Sequence, residues 1–275
     1  MLCGVKMAKA SVNGIDIYYR VQGRGEPLVL IMGLGGESGD WVLQVHAFKK
    51  HYRVVSFDNR GVGRSDKQSE HYTIKTMADD TVGLMDLLGI DKAHILGISM
   101  GGMIAQELAI NYPQRVNKLV LVCTTPGRDE KGRHSPELLR AMGLKEDFSD
   151  EDIGNVDMGK VSKSLNSHAF SSGAIGMVAV PFCWVRMKLF GVEGQRGQFE
   201  AAMAYSALDR LHKVKAPTLV IAGTGDRIVP LRDSELLAER IPQARLVKIE
   251  GGSHTLMAEK RGRFNREVLS FLGGG

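Results

Sequence analysis

Apolar residues follow two rhythms along this chain. Short, mostly apolar runs at residues 28–32, 52–57, 93–98, 116–122, 218–223 and 245–249 predict strands. The most continuous of them read as strands covered on both faces. Residues 16–21 alternate instead, and predict a strand leaving a turn at Asn13-Gly14. Between these runs, apolar residues recur at helical spacing over 41–50, 74–88, 101–112, 231–241 and 258–271. Gly89 and Pro113 supply stop signals for two of the helices. Strand alternating with helix implies an α/β fold, a mostly parallel sheet with helices on both faces.

The alternation breaks between about residues 126 and 213. That stretch carries Glu146, Asp147, Asp150, Glu151 and Asp152, some short helical patterns, and an apolar run over 174–185. The run contains Pro181 and is too short to span a bilayer, which takes roughly 20 residues. The expected organisation is one α/β core, residues 8–125 and 214–275, interrupted by an insertion over 126–213. The opening residues MLCGVKMAKAS lack an apolar segment of signal-peptide length, and a second methionine stands at Met7. Whether the first six residues are structured is not legible.

Composition narrows the class. At 275 residues and 43% hydrophobic, the chain can bury one sizeable core. Its 36 Lys and Arg against 31 Asp and Glu leave +5, with no basic stripe, so a nucleic-acid partner is not indicated. Cys3, Cys123 and Cys183 are odd in number and far apart, which argues against a disulfide framework or a zinc site. The expectation is a cytoplasmic protein without metal or cofactor. Oligomeric state is not legible.

Gly97-Ile98-Ser99-Met100-Gly101-Gly102 falls at a predicted strand-to-helix junction. A G-x-S-x-G there puts the serine on a sharp turn, lifts its hydroxyl clear of the sheet and sets it at a helix N-terminus. A glycine-rich turn with an incidental serine is the competing reading. A serine nucleophile needs a base. Of eight histidines, His254 stands apart, in Gly251-Gly252-Ser253-His254 between the last strand and last helix. In a parallel sheet that loop opens on the same edge as the Ser99 turn. The base in turn needs a carboxylate to fix its tautomer. Asp226, in Gly223-Thr224-Gly225-Asp226, follows a strand on that edge and is preferred over Asp58, whose Asp-x-Arg-Gly setting suits a turn-building role.

The order Ser99, Asp226, His254 resembles the α/β-hydrolase fold superfamily. The resemblance runs from Ile15 to Phe271 apart from the insertion. It rests on Gly33-Leu34-Gly35-Gly36, on the stretch from Asp58 to Ser65, on Gly97 to Gly102, on Gly223 to Asp226 and on Gly252 to His254. Within the superfamily the chain looks most like small serine esterases and lactonases, including oxoadipate enol-lactone hydrolases. The resemblance implies that residues 126–213 form a helical cap. It also implies an oxyanion hole made by the backbone N–H groups of Leu34 and Met100. Many relatives carry His-Gly where this chain has Met32-Gly33, so any side-chain support from that histidine is missing.

These readings predict a serine hydrolase that cleaves small carboxylic esters or lactones through an acyl-enzyme. Its partner is then a small-molecule substrate. The apolar side chains of Met177, Val180, Trp184 and Met187 are candidates for the substrate pocket; packing of the insertion onto the core explains them equally well. A serine at the elbow argues against alkyl-ester chemistry, which needs a carboxylate nucleophile. Carbon–carbon bond hydrolysis, thioester cleavage and acyl transfer use the same machinery. A ligand-binding protein with negligible turnover is an alternative of a different class.

Overall fold

The computed structural model describes residues 6–67, 71–170 and 194–273. An eight-stranded sheet forms its centre, in the order β1-β2-β4-β3-β5-β6-β7-β8. The strands are β1 (Lys6–Val12), β2 (Ile15–Gln22), β3 (Pro27–Ile31), β4 (Arg53–Phe57), β5 (Ala93–Ile98), β6 (Val116–Val122), β7 (Thr218–Gly223) and β8 (Ala244–Ile249). From β3 and β4 through β8 every pairing is parallel, while β1 and β2 are antiparallel to their neighbours. The helices are α1 (Val42–Phe48), α2 (Ile74–Leu87), α3 (Met100–Asn111), α4 (Pro136–Met142), α5 (Met158–Ala169), α6 (Gln195–Met203), α7 (Leu231–Arg240), α8 (Leu256–Glu259) and α9 (Arg261–Leu272).

Strand alternation sorts the core into two layers. Val29, Ile31, Ile95, Leu119, Leu121 and Val220 pack on one face with residues of α2, α3 and α7. Leu28, Leu30, Leu96, Val120, Leu219 and Ile221 pack on the other with residues of α1 and α9. Both faces are covered, which is why these strands read as apolar runs rather than as alternating ones.

Two expectations need correction. The sheet begins earlier than residue 16. β1 starts at Lys6 and pairs with β2 across a turn whose two central residues, Asn13 (φ 49°) and Gly14 (φ 79°), are both left-handed, as a two-residue hairpin demands. Its inward residues Ala10 and Val12 are small and alternate with exposed Met7, Lys9 and Ser11, so its apolar signal is weak. The helix read over 258–271 is two pieces, α8 and α9, broken at Lys260 (φ −112°, ψ 31°).

Between β6 and β7 the described chain forms α4, α5 and α6. Leu139, Met142, Met158, Val161, Phe199 and Met203 make a third apolar cluster, closed from the core side by Ile228 and Val229. Met177, Val180, Trp184 and Met187 lie outside the described residues.

Candidate active site

The strand order reverses between β3 and β5: β4 lies on one side of β3, and β5 with all later parallel strands on the other. Such a switch point opens a crevice at the carboxyl ends of the strands. Ser99 ends β5 and begins α3 there, with φ 54° and ψ −124°. That backbone is strained for any residue with a Cβ, at a cost of order 1–3 kcal/mol. The surrounding glycines show why the turn is so tight. A Cβ on Gly97 would lie 2.1 Å from the Gly101 carbonyl oxygen. One on Gly101 would lie 2.2 Å from that of Ile31, and one on Gly102 2.5 Å from the Thr124 side chain. The Ser99 carbonyl caps the helix by accepting from Gly102 N–H (2.8 Å) and from the Thr124 hydroxyl (2.7 Å).

Asp226 and His254 meet directly. Asp226 Oδ2 lies 2.8 Å from His254 Nδ1. Its Oδ1 accepts from the backbone N–H groups of Ile228 (2.8 Å) and Val229 (3.0 Å). The two side chains are 3% and 11% exposed, so little water competes for this bond. Burial pushes the Asp226 carboxyl up, but the charge of His254, the hydrogen bond to it and the two backbone donors together hold it below its ordinary value. The bond to Nδ1 leaves Nε2 as the free face of the ring.

The end of β6 joins this pair to the serine. Thr124 bonds the Ser99 carbonyl, and the preceding Cys123 sits against Asp226 and His254, with ligand atoms of all three within 4.8 Å of one another. Cys123 is a free, buried thiol that burial pushes well up, so it is a poor metal ligand, and the facing atoms of Asp226 and His254 are committed to each other. Among the described residues no hydrogen bond links the Ser99 hydroxyl to the His254 ring.

Asp58 does something else. Its carboxylate accepts from the backbone N–H groups of Ser38 (2.7 Å) and Arg64 (2.9 Å), and the residue is 1% exposed. It builds the loop between β4 and α2 and has no hydrogen bond to a histidine among the described residues.

Gly33 follows β3 so closely under the elbow that a Cβ there would lie 3.1 Å from Ser99 Cβ. The Gly36 N–H donates to the Gly33 carbonyl (3.1 Å), closing a turn with Gly35 at φ 70°. Among the described residues neither the Leu34 nor the Met100 N–H has an acceptor. For Met100 that is the ordinary condition of a helix N-terminus. Met32 is buried, and its backbone oxygen accepts from Asn59 Nδ2 (3.0 Å).

A separate cavity of about 1050 Å³ opens between residues 126–150 and α7, and Ser99 does not line it. Its three arginines are engaged: Arg128 grips Asp150 with two nitrogens and the Met203 carbonyl with Nε, Arg133 pairs with Asp129, and Arg232 pairs with Glu137.

The family described as alpha/beta hydrolase fold matches residues 26–157, and that described as serine aminopeptidase S33 matches residues 198–261. A protein of Azorhizobium caulinodans named as carbamate hydrolase RutD is 30% identical over 271 residues, spanning 97% of this chain and 98% of that protein. The enol-lactonase of Burkholderia xenovorans LB400 superposes with a TM-score of 0.84 at 28% identity, covering 97% of this chain and 100% of that one. The meta-cleavage product hydrolase CumD of Pseudomonas fluorescens IP01 does so at 0.78 and 28%, covering 98% of each chain. Together with the mostly parallel sheet and the strained Ser99 turn, these matches establish that the chain belongs to the α/β-hydrolase fold family.

Proposed function

We propose that the protein is a serine hydrolase of small carboxylic esters or lactones. The observation that carries this reading is the left-handed Ser99 turn on the same sheet edge as the Asp226–His254 pair. Ser99 Oγ attacks the carbonyl carbon while His254 Nε2 takes its proton. The carbonyl oxygen becomes an oxyanion held by the Leu34 and Met100 N–H groups. Collapse of the tetrahedral intermediate expels the alcohol, which takes the proton from His254. Water, deprotonated by His254, then attacks the acyl-enzyme and releases the acid and Ser99. Asp226 holds the ring in the tautomer that leaves Nε2 free and stabilises the imidazolium. Residues 126–213 serve as a cap over this edge, and the protein works in the cytoplasm, where the unpaired Cys123 stays reduced.

The test is turnover of a panel of p-nitrophenyl esters and γ- and δ-lactones by wild type and Ser99→Ala. Repeated turnover that depends on Ser99 supports the reading. Labelling of Ser99 with a single burst and no steady state makes the protein a binding module instead. A second reading, hydrolysis of a carbon–carbon bond, is favoured by the likeness to CumD. It predicts turnover of a vinylogous diketone with esters cleaved poorly.

A further inference from the structure

Gln198 sits in α6, fully buried, at the junction of three segments distant in sequence. Its Oε1 accepts the Gly35 N–H at 2.9 Å, and its Nε2 donates to the Arg60 carbonyl at 2.8 Å. An N–H needs an acceptor and a C=O needs a donor, so the amide has one orientation here. The chain packs closely against the core at the start of α6. A Cβ on Gly194 would lie 1.9 Å from the Gly61 oxygen, and one on Gly197 2.6 Å from the Tyr72 ring. Arg60 is itself fixed by a buried bidentate pair with Asp80, at 2.6 and 2.8 Å.

The bond to Gly35 falls on the turn that carries Leu34. The Gly33–Gly36 turn has its third residue at positive φ and its second not, which is the type II form. In that form the peptide between Leu34 and Gly35 is turned over relative to type I. Gln198 accepts the N–H of that peptide, and so holds it in the type II orientation. That orientation sets ψ of Leu34; the Leu34 N–H belongs to the preceding peptide, whose Gly33 carbonyl accepts the closing bond of the turn from Gly36, so holding the turn in this form also fixes that N–H.

We infer that Gln198 is a positioning residue for the oxyanion hole: it locks the Leu34–Gly35 peptide and ties that lock to the seating of α6. The inference rests on Ser99 being the nucleophile. It adds that the hole is completed from the segment between β6 and β7 rather than by the core alone. Gln198 touches no reacting atom, so its removal acts on the rate of the chemical step and not on ground-state binding.

The experiment is the rate at which a fluorophosphonate labels Ser99, resolved into kinact and KI, for wild type, Gln198→Met and Gln198→Glu, with Tm measured for each. The phosphoryl oxygen uses the same donors as an acyl oxyanion, so no natural substrate is needed. Gln198→Met keeps the shape and loses both bonds. It is expected to lower kinact about tenfold or more, a fraction of the loss on deleting a whole oxyanion donor, with KI within about threefold. Gln198→Glu keeps the acceptor for Gly35 and loses the donor to Arg60. It is expected to label faster than Gln198→Met, and to gain on wild type as pH falls and its carboxyl regains a proton to donate. Equal kinact in all three proteins overturns the inference while the nucleophile stands. A loss confined to KI also overturns it. If wild type is not labelled at Ser99, the nucleophile reading fails and the inference fails with it.

Discussion

The 2.8 Å contact between Asp226 Oδ2 and His254 Nδ1 has a second half, because Asp226 Oδ1 is anchored by the N–H groups of Ile228 and Val229. Those residues also close the apolar cluster formed by α4, α5 and α6. The orientation of the ring is therefore tied to the packing above it. Asp226→Asn replaces the acceptor facing Nδ1 with an amide and favours the wrong tautomer. It is expected to lower kcat by roughly 10³–10⁴ with KM little changed. Asp58→Asn is expected to do the reverse. It leaves one backbone N–H without an acceptor, costing about 1–3 kcal/mol in urea unfolding while the folded fraction stays active. An inactive, stably folded Asp58→Asn reverses the assignment of the two carboxylates.

The strain at Ser99 is measurable apart from chemistry. Ser99→Ala removes the hydroxyl but keeps the Cβ at φ 54°, so it is inactive and no more relaxed. Ser99→Gly is equally inactive and releases the strain. It is expected to be more stable than Ser99→Ala by about 1 kcal/mol, after the extra chain entropy of glycine is subtracted. Equal urea midpoints for the two variants count against a strained elbow.

Glycines that look alike in the sequence carry different duties. Gly101→Ala sets a Cβ 2.2 Å from the Ile31 oxygen, against backbone that cannot yield without moving the β3 turn. It is expected to lower Tm and to lower activity further than the lost stability explains. Gly89→Ala, at φ 65° with no atom within 4 Å, is expected to cost only the left-handed conformation, about 1–2 kcal/mol, with kcat intact. Differential scanning calorimetry with initial rates separates the two.

Stability is expected to fall as pH drops from 7 to 5. Burial pushes both His94 and His134 down from the ordinary histidine value. At His94 the hydrogen bond and charge of Glu26 oppose burial without cancelling it, and Lys118 adds to it. A folded value below the unfolded one means that the unfolded chain takes up its proton first. The contribution is thus whole above about pH 6.5 and is lost as pH falls through the lowered value. Asp226, also held low, adds its own loss below about pH 4. His94→Gln should flatten the urea midpoint between pH 7 and 5, and an unflattened profile excludes His94 as the source.

How much of this was legible in the sequence depends on how local each signal is. The strands with both faces covered and the Gly97-to-Gly102 turn were readable because steric demand falls on adjacent residues. Asp58 was separable from Asp226 because its neighbours spell a turn, and its carboxylate caps two backbone N–H groups. β1 was missed because its inward side chains, Ala10 and Val12, are small. The break at Lys260 has no proline, and Gly262 two residues on is a single glycine inside an otherwise helical pattern, which is too weak a stop signal. Gln198 was invisible for another reason: Gly35 and Arg60 are 163 and 138 residues away, and nothing in the sequence around it marks a buried amide.

The most direct measurement is mass-spectrometric mapping of the adduct formed by a fluorophosphonate, with initial ester hydrolysis rates followed on the same samples. The expected result is one phosphonyl group per chain on the peptide containing Ser99, loss of hydrolysis in proportion to labelling, no adduct in Ser99→Ala, and labelling slowed by orders of magnitude in His254→Ala. An adduct on another residue, or steady-state hydrolysis that persists in Ser99→Ala, contradicts it.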